Sequence, residues 1–127
     1  MEAEMEIYAI RGATTVDFDN PADVDQAVAE LMGAVYSENG IGDDDICSII
    51  FSQTSDIRSR NAAASCRKAG YAAKVPLFCV QEADIAGGLP RTIRVLVTIN
   101  HGMEKEPRMV YQRKAASLRP DFAARKD

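Results

Sequence analysis

The chain has 127 residues, 46% of them hydrophobic and 27% charged, the composition of one globular domain rather than of a disordered segment. Nineteen acidic residues against fifteen basic ones leave a net charge of −4, which argues against general nucleic-acid or membrane-surface binding, so an anion site here has to be a local cluster of arginines. Cys47, Cys66 and Cys79 are odd in number, lack metal-ligand spacing and fit a reduced compartment.

The opening Met1-Glu2-Ala3-Glu4-Met5-Glu6 is acidic and has no apolar core, so no secretory signal is expected. No apolar run is long enough to cross a membrane. The expectation is a soluble cytoplasmic protein whose single domain covers residues 1–127. Ile7 to Ile10 reads as a first strand carrying Arg11 at its end. Asn20 can cap a helix, Pro21 suits its first position, and Asp23 complements the positive end of the dipole. Val24, Ala27, Val28, Leu31, Met32 and Val35 recur at helical spacing, and Asn39-Gly40 ends the helix. Gly42-Asp43-Asp44-Asp45 lacks the ligand spacing of a calcium loop and reads as a solvated connection.

Ile46 to Phe51 is a nearly continuous apolar run, as expected of an interior strand. Ser52 to Asp56 can cap a second helix, placed around Arg60 to Lys68 and ended at Gly70; Arg67 lies in its last turn, where a cation is favourable. Pro76 precedes a third strand that becomes acidic at Glu82. Gly87-Gly88-Leu89-Pro90 marks a loop, and Ile93, Val95, Val97 and Ile99 alternate with Arg94, Leu96 and Thr98 in a fourth strand. Arg94 therefore projects opposite to Ile93 and Val95. A guanidinium fixed on a strand beside a carboxylate is what an anionic small-molecule site needs, although these two residues alone read more readily as a plain ion pair across two strands.

The loop Asn100 to Pro107 holds the one histidine, His101, which has no second ligand at metal spacing and reads as a surface residue. Val110, Tyr111, Lys114, Ala115 and Leu118 suggest a short closing helix, and the polar tail 122–127 is expected to fray. The order strand, helix, strand, helix, strand, strand predicts an α/β sandwich: a mixed β-sheet with helices on one face. Nothing in the chain covers the other face, so a symmetric homo-oligomer is expected.

Ile10-Arg11-Gly12-Ala13-Thr14-Thr15-Val16, Cys79-Val80-Gln81-Glu82, Gly87-Gly88-Leu89, Ile93-Arg94-Val95, Val110-Tyr111 and Leu118-Arg119-Pro120-Asp121 form an ordered set. In order and spacing it resembles the AroH-class chorismate mutases over almost the whole chain. The resemblance implies a homotrimer with a pseudo-barrel core and clefts between subunits that convert chorismate to prephenate in phenylalanine and tyrosine synthesis. That reaction is concerted and pericyclic, so no cofactor, metal or nucleophile is expected. The resemblance assigns catalysis to Arg94, Glu82 and Arg11: Arg94 at the ether oxygen, Arg11 on a substrate carboxylate, and Glu82 accepting from the ring hydroxyl. It also implies that Tyr111 donates near the carboxylate end, that Phe78, Cys79, Val80 and Gln81 line the pocket, and that Arg67 and Arg119 bind the dianion at the rim.

Taken one at a time, these residues have plainer readings. Arg11 can pair with an acidic neighbour, Tyr111 can be core, Cys79 a small buried residue, and Arg119 a helix-end cation. The chain also departs from the family. Asn61-Ala62 stands where a Phe-Pro pair is usual, Ala64 where a lysine is frequent, and Phe78 where a small polar residue is common. The loop before Tyr111 is one residue shorter than in relatives. The competing expectation is a YjgF-type trimer of the same architecture, binding small acids or hydrolysing imines.

Overall fold

The computed structural model describes residues 6–100 and 105–123. His101 and the tail beyond residue 123 lie outside them. Five strands form one sheet: β1 (Tyr8–Thr15), β2 (Ile46–Gln53), β3 (Leu77–Gln81), β4 (Thr92–Ile99) and β5 (Val110–Tyr111), in the spatial order β3-β2-β4-β1-β5. β4 is antiparallel to both neighbours, while β1 pairs parallel with β5 and β2 parallel with β3. The mixed sheet is the one anticipated, with one strand more.

Helix α1 (Pro21–Asn39) begins where Asn20 Oδ1 accepts from the Asp23 backbone N–H at 2.9 Å and ends at Gly40, whose φ of 59° is the left-handed C-cap. Its six apolar positions, Val24, Ala27, Val28, Leu31, Met32 and Val35, are all fully buried. Helix α2 (Ala62–Lys68) starts two residues later than expected, because Asn61 and not the Ser52–Asp56 segment supplies the cap, accepting from Ala63 N at 2.8 Å. Both helices pack on one sheet face, against Ile10, Ile49, Phe51, Ile93, Val95 and Val97.

The first strand runs further than Ile7 to Ile10, which places Arg11 in its interior. The closing segment also differs from expectation. Val110 and Tyr111 are strand rather than helix, and a 3₁₀ segment, Arg113–Leu118, leads into a single turn, α3 (Pro120–Ala123). Backbone proximity explains β5. Val110 and Tyr111 pair with Gly12 and Ala13, and a Cβ built on Gly12 would stand 3.0 Å from the Val110 carbonyl oxygen. That is tighter than most Cβ contacts, so a side chain there would push β5 outward and glycine lets it lie against β1 undisplaced.

The other sheet face carries Ile50, Phe78, Val80 and Leu96, all exposed. Four large apolar side chains open to water on one face match the expectation of an uncovered sheet. Among the described residues, no helix is long and apolar enough to cross a membrane.

Candidate active site

Strand register decides which expected site residues meet. Tyr111 lies beside Ala13, Ala13 beside Arg94, Arg94 beside Ser52, and Ser52 beside Val80. The next row holds Arg11, Leu96, Ile50 and Phe78. Side chains alternate along a strand, so both rows project from the open face. Arg11, Arg94, Tyr111, Phe78 and Val80 are thereby brought to one surface. Glu82, just past the end of β3, continues the alternation of Phe78 and Val80.

Glu82 reaches Arg94 directly: Arg94 Nε donates to Glu82 Oε1 at 2.8 Å, and Ser52 Oγ donates to the same oxygen at 3.1 Å. The Glu82 backbone N–H donates to the Gln53 carbonyl at 2.9 Å, which anchors the residue as it leaves the strand. The ion pair anticipated as the plain reading does exist. Its geometry nonetheless leaves chemistry available. Glu82 engages the inner Nε, so both terminal nitrogens of Arg94 have no partner among the described residues, and Glu82 Oε2 has none either. The arginine side chain is 42% exposed and the glutamate 21%. A carboxylate holding a guanidinium by its inner edge aims the outer edge at solvent, where an anion can take it in fork geometry.

Arg11 is exposed at mid-strand, and its guanidinium has no partner among the described residues, while its backbone N–H donates to Met109 Sδ at 3.0 Å. Tyr111 stacks on Phe122 with centroids 6.0 Å apart, and the Arg119 guanidinium lies 4.1 Å from the Phe122 ring centroid. Arg119 also forks onto Asp121, at 3.2 and 2.9 Å, so Tyr111, Arg119 and Phe122 make one patch at the β5 edge. Hydrogen bonding to Asp121 strengthens the cation on Arg119 and lowers the Asp121 carboxyl.

Arg67 is placed differently. Its guanidinium donates to the Val75 carbonyl at 3.1 Å, bracing the loop after α2. It is not brought beside Arg11, Arg94 and Tyr111. Cys79 and Gln81, alternating with Phe78 and Val80, face the helix side. Burial pushes the Cys79 thiol up, which keeps it neutral and suits it to donating toward Gln53 Oε1 at 3.1 Å rather than to nucleophilic attack.

Two depressions flank this constellation. One, of about 370 Å³, lies between the Thr54–Asp56 segment and the Glu82–Pro90 loop and touches Arg94. The other, of about 610 Å³, is walled by residues 53–55 and 57–61 against Cys79, Val80 and Gln81. Ser52, Gln53, Arg58 and Arg60 were not singled out from the sequence. For Ser52 a signal was present, since it alternates with Ile50 onto the open face. For the others the relevant contacts are long-range, and no local pattern announces them.

The family model described as Chorismate mutase type I matches residues 7–122. The chain belongs to the type I chorismate mutase family. Chorismate mutase AroH of Bacillus subtilis strain 168 is 34% identical over 124 residues, covering 97% of this chain and 98% of that protein. Chorismate mutase AroH of Thermus thermophilus is 38% identical over 118 residues, covering 91% and 96%. A solved chorismate mutase from Clostridium thermocellum superposes with a TM-score of 0.82 at 34% identity, over 87% of this chain and 99% of its own. The type I family assignment thus rests on sequence and on fold together, across nearly the whole chain.

Proposed function

We propose that this chain is a chorismate mutase: it converts chorismate to prephenate by a pericyclic rearrangement, feeding phenylalanine and tyrosine synthesis. Family membership and the open-face constellation both support the reading, and membership disfavours a YjgF-type binder or imine deaminase. The single observation that carries the mechanism is the Glu82–Arg94 pair, held through Nε with the terminal nitrogens left open.

A concerted rearrangement asks little covalent chemistry of a protein. The substrate dianion has to be held in its diaxial, chair-like form, which removes the entropic part of the barrier. The ether oxygen gains negative charge as its C–O bond breaks, so fixed positive charge aimed there stabilises the transition state more than the ground state. Arg94 is the cation for that oxygen. Glu82 Oε2 accepts from the ring hydroxyl, Arg11 forks onto a carboxylate, and Tyr111 donates near the carboxylate end. Phe78 and Val80 supply apolar wall on the open face, with Cys79 and Gln81 contributing backbone. Arg67 and Arg119 bind or steer the dianion at the rim. No step calls for a cofactor.

One subunit does not enclose these groups. The exposed Ile50, Phe78, Val80 and Leu96 beside them favour a homotrimer in which the open faces form the centre and a neighbouring subunit closes each cleft. A cytoplasmic location goes with the acidic, unpaired-cysteine composition.

Citrulline in place of Arg94 tests the mechanism, since it keeps the shape and removes the charge. The fold and most product binding should survive while kcat falls by about 10²- to 10³-fold or more, the range for losing one preorganised donor. Arg94→Lys should fail almost as badly, because an ammonium cannot reproduce the fork. Near-normal turnover with citrulline would make Arg94 structural and the mechanism wrong.

A further inference from the structure

Gln53 closes β2, and its side chain uses its full hydrogen-bonding capacity. Nε2 donates to the Ile57 carbonyl at 3.2 Å and to the Arg60 carbonyl at 2.9 Å. Oε1 accepts from the Ala62 backbone N–H at 3.0 Å and from Cys79 Sγ at 3.1 Å. The Ala62 N–H is one of the donors that the start of α2 leaves without a helical partner. One amide therefore joins the 57–60 segment, the start of α2 and strand β3. Its own backbone carbonyl receives the Glu82 N–H at 2.9 Å. Gln53 sits on the floor of the 610 Å³ cleft, with the loop as one wall and Cys79 to Gln81 as the other.

We propose that Gln53 is a positioning residue that sets the width of this cleft and the exit direction of Glu82, and so governs how tightly the site holds its dianionic substrate. The inference rests on the mutase reading for its kinetic consequence but not for its geometry. No other side chain among the described residues bonds both walls of the cleft. The loop has no secondary structure between β2 and α2; Asp19, accepting from Arg58 N, Ser59 N and Ser59 Oγ, and Asp25, accepting from Arg60, hold it toward α1, while Gln53 ties it to β2 and β3. Asn61 cannot substitute, because its own Oδ1 is occupied in capping α2.

Gln53→Glu keeps the shape but sets a carboxylate against the Ile57 and Arg60 carbonyls. Gln53→Leu keeps the volume and abandons every bond. Both are read in a Cys47→Ser background, because Cys47 is exposed and Cys66 is fully buried, which leaves Cys79 as the thiol that responds. Two readouts apply: KM and kcat for chorismate taken separately, and the rate of Cys79 alkylation by iodoacetamide.

The expected result is a KM raised about tenfold or more with kcat changed less than about threefold, together with alkylation at least several-fold faster in Gln53→Leu, where no carboxylate stands beside the thiol to oppose its ionisation. In Gln53→Glu, KM should fall back toward the parent value as pH drops from 8 to 5.5, since a protonated carboxyl regains a donor for one carbonyl; the parent KM should not follow that trend. Should Gln53→Leu not fold, Gln53→Glu and its pH profile carry the decision. Unchanged KM and unchanged alkylation in a folded variant would overturn the proposal. Equal losses in kcat and kcat/KM without a KM change would overturn it too, because that pattern belongs to a group acting on the transition state. A parent protein without turnover would sink the functional reading instead, and the alkylation rates would still decide whether Gln53 holds the two walls.

Discussion

Arg94 donates through Nε to Glu82 and so surrenders rotamer freedom before any substrate arrives. Arg11, two residues along from the position beside Arg94, has no such tether. The difference predicts different kinetics. Arg11 is assigned to a carboxylate that carries its charge in both ground and transition states, so Arg11→Ala should raise KM as well as lower kcat. A kcat loss with KM unmoved, measured by steady-state chorismate consumption, would place Arg11 at the developing charge and contradict the assignment. The opposition of Arg94 to Ile93 and Val95 was legible in the strand's alternation. Its pairing with Glu82 was legible as well, but the part Ser52 takes in it was not, because that depends on β2 lying between β3 and β4, a fact of sheet order. Arg67 was legible as a helix-end cation, and its turn toward the Val75 carbonyl depends on a loop conformation that no periodicity encodes.

At the scale of elements, Asp25 ties α1 to α2 and to the cleft wall. Arg60 donates to it in a fork at 2.8 and 3.1 Å, Ser65 Oγ at 2.6 Å and Lys68 Nζ at 3.0 Å. Burial works against the charge on Asp25, but the hydrogen bonds from Ser65, Lys68 and Arg60 outweigh it and hold the carboxyl down at about 2. Its folded pKa is lower than the roughly 3.9 of an unfolded aspartate. The stabilisation is therefore fully present above about pH 4 and is lost as pH falls toward about 2. Asp25→Asn should cost about 1 to 2 kcal/mol in urea unfolding at pH 7, allowing for solvent screening, and the gap to the parent should close on acidification. A gap that stays constant down to pH 2 would show that packing and not charge is at work. Helix α1 was readable in full, since its cap, its proline, its apolar stripe and its terminal glycine are all local signals. β5 was not readable, because its two residues are strand through pairing with Gly12 and Ala13, 98 residues earlier.

For the whole molecule, the uncovered face is the feature that the sequence and the fold agree on. Two crossover helices cover one side of the sheet, and on the other Ile50, Phe78, Val80 and Leu96 stay exposed. On the proposed trimer, Ile50→Glu, which sets a charge in the middle of that face, should give monomers in sedimentation and abolish most turnover, because the proposal has a neighbouring subunit close each cleft. A stable and fully active monomer at low concentration would remove the case for sites shared between subunits. The measurement that bears most directly on the account is to mix the purified protein with chorismate and follow the loss of its ultraviolet absorbance, then acidify and look for phenylpyruvate. Enzyme-dependent loss with stoichiometric phenylpyruvate is the predicted result. Chorismate left intact at high protein concentration would contradict it.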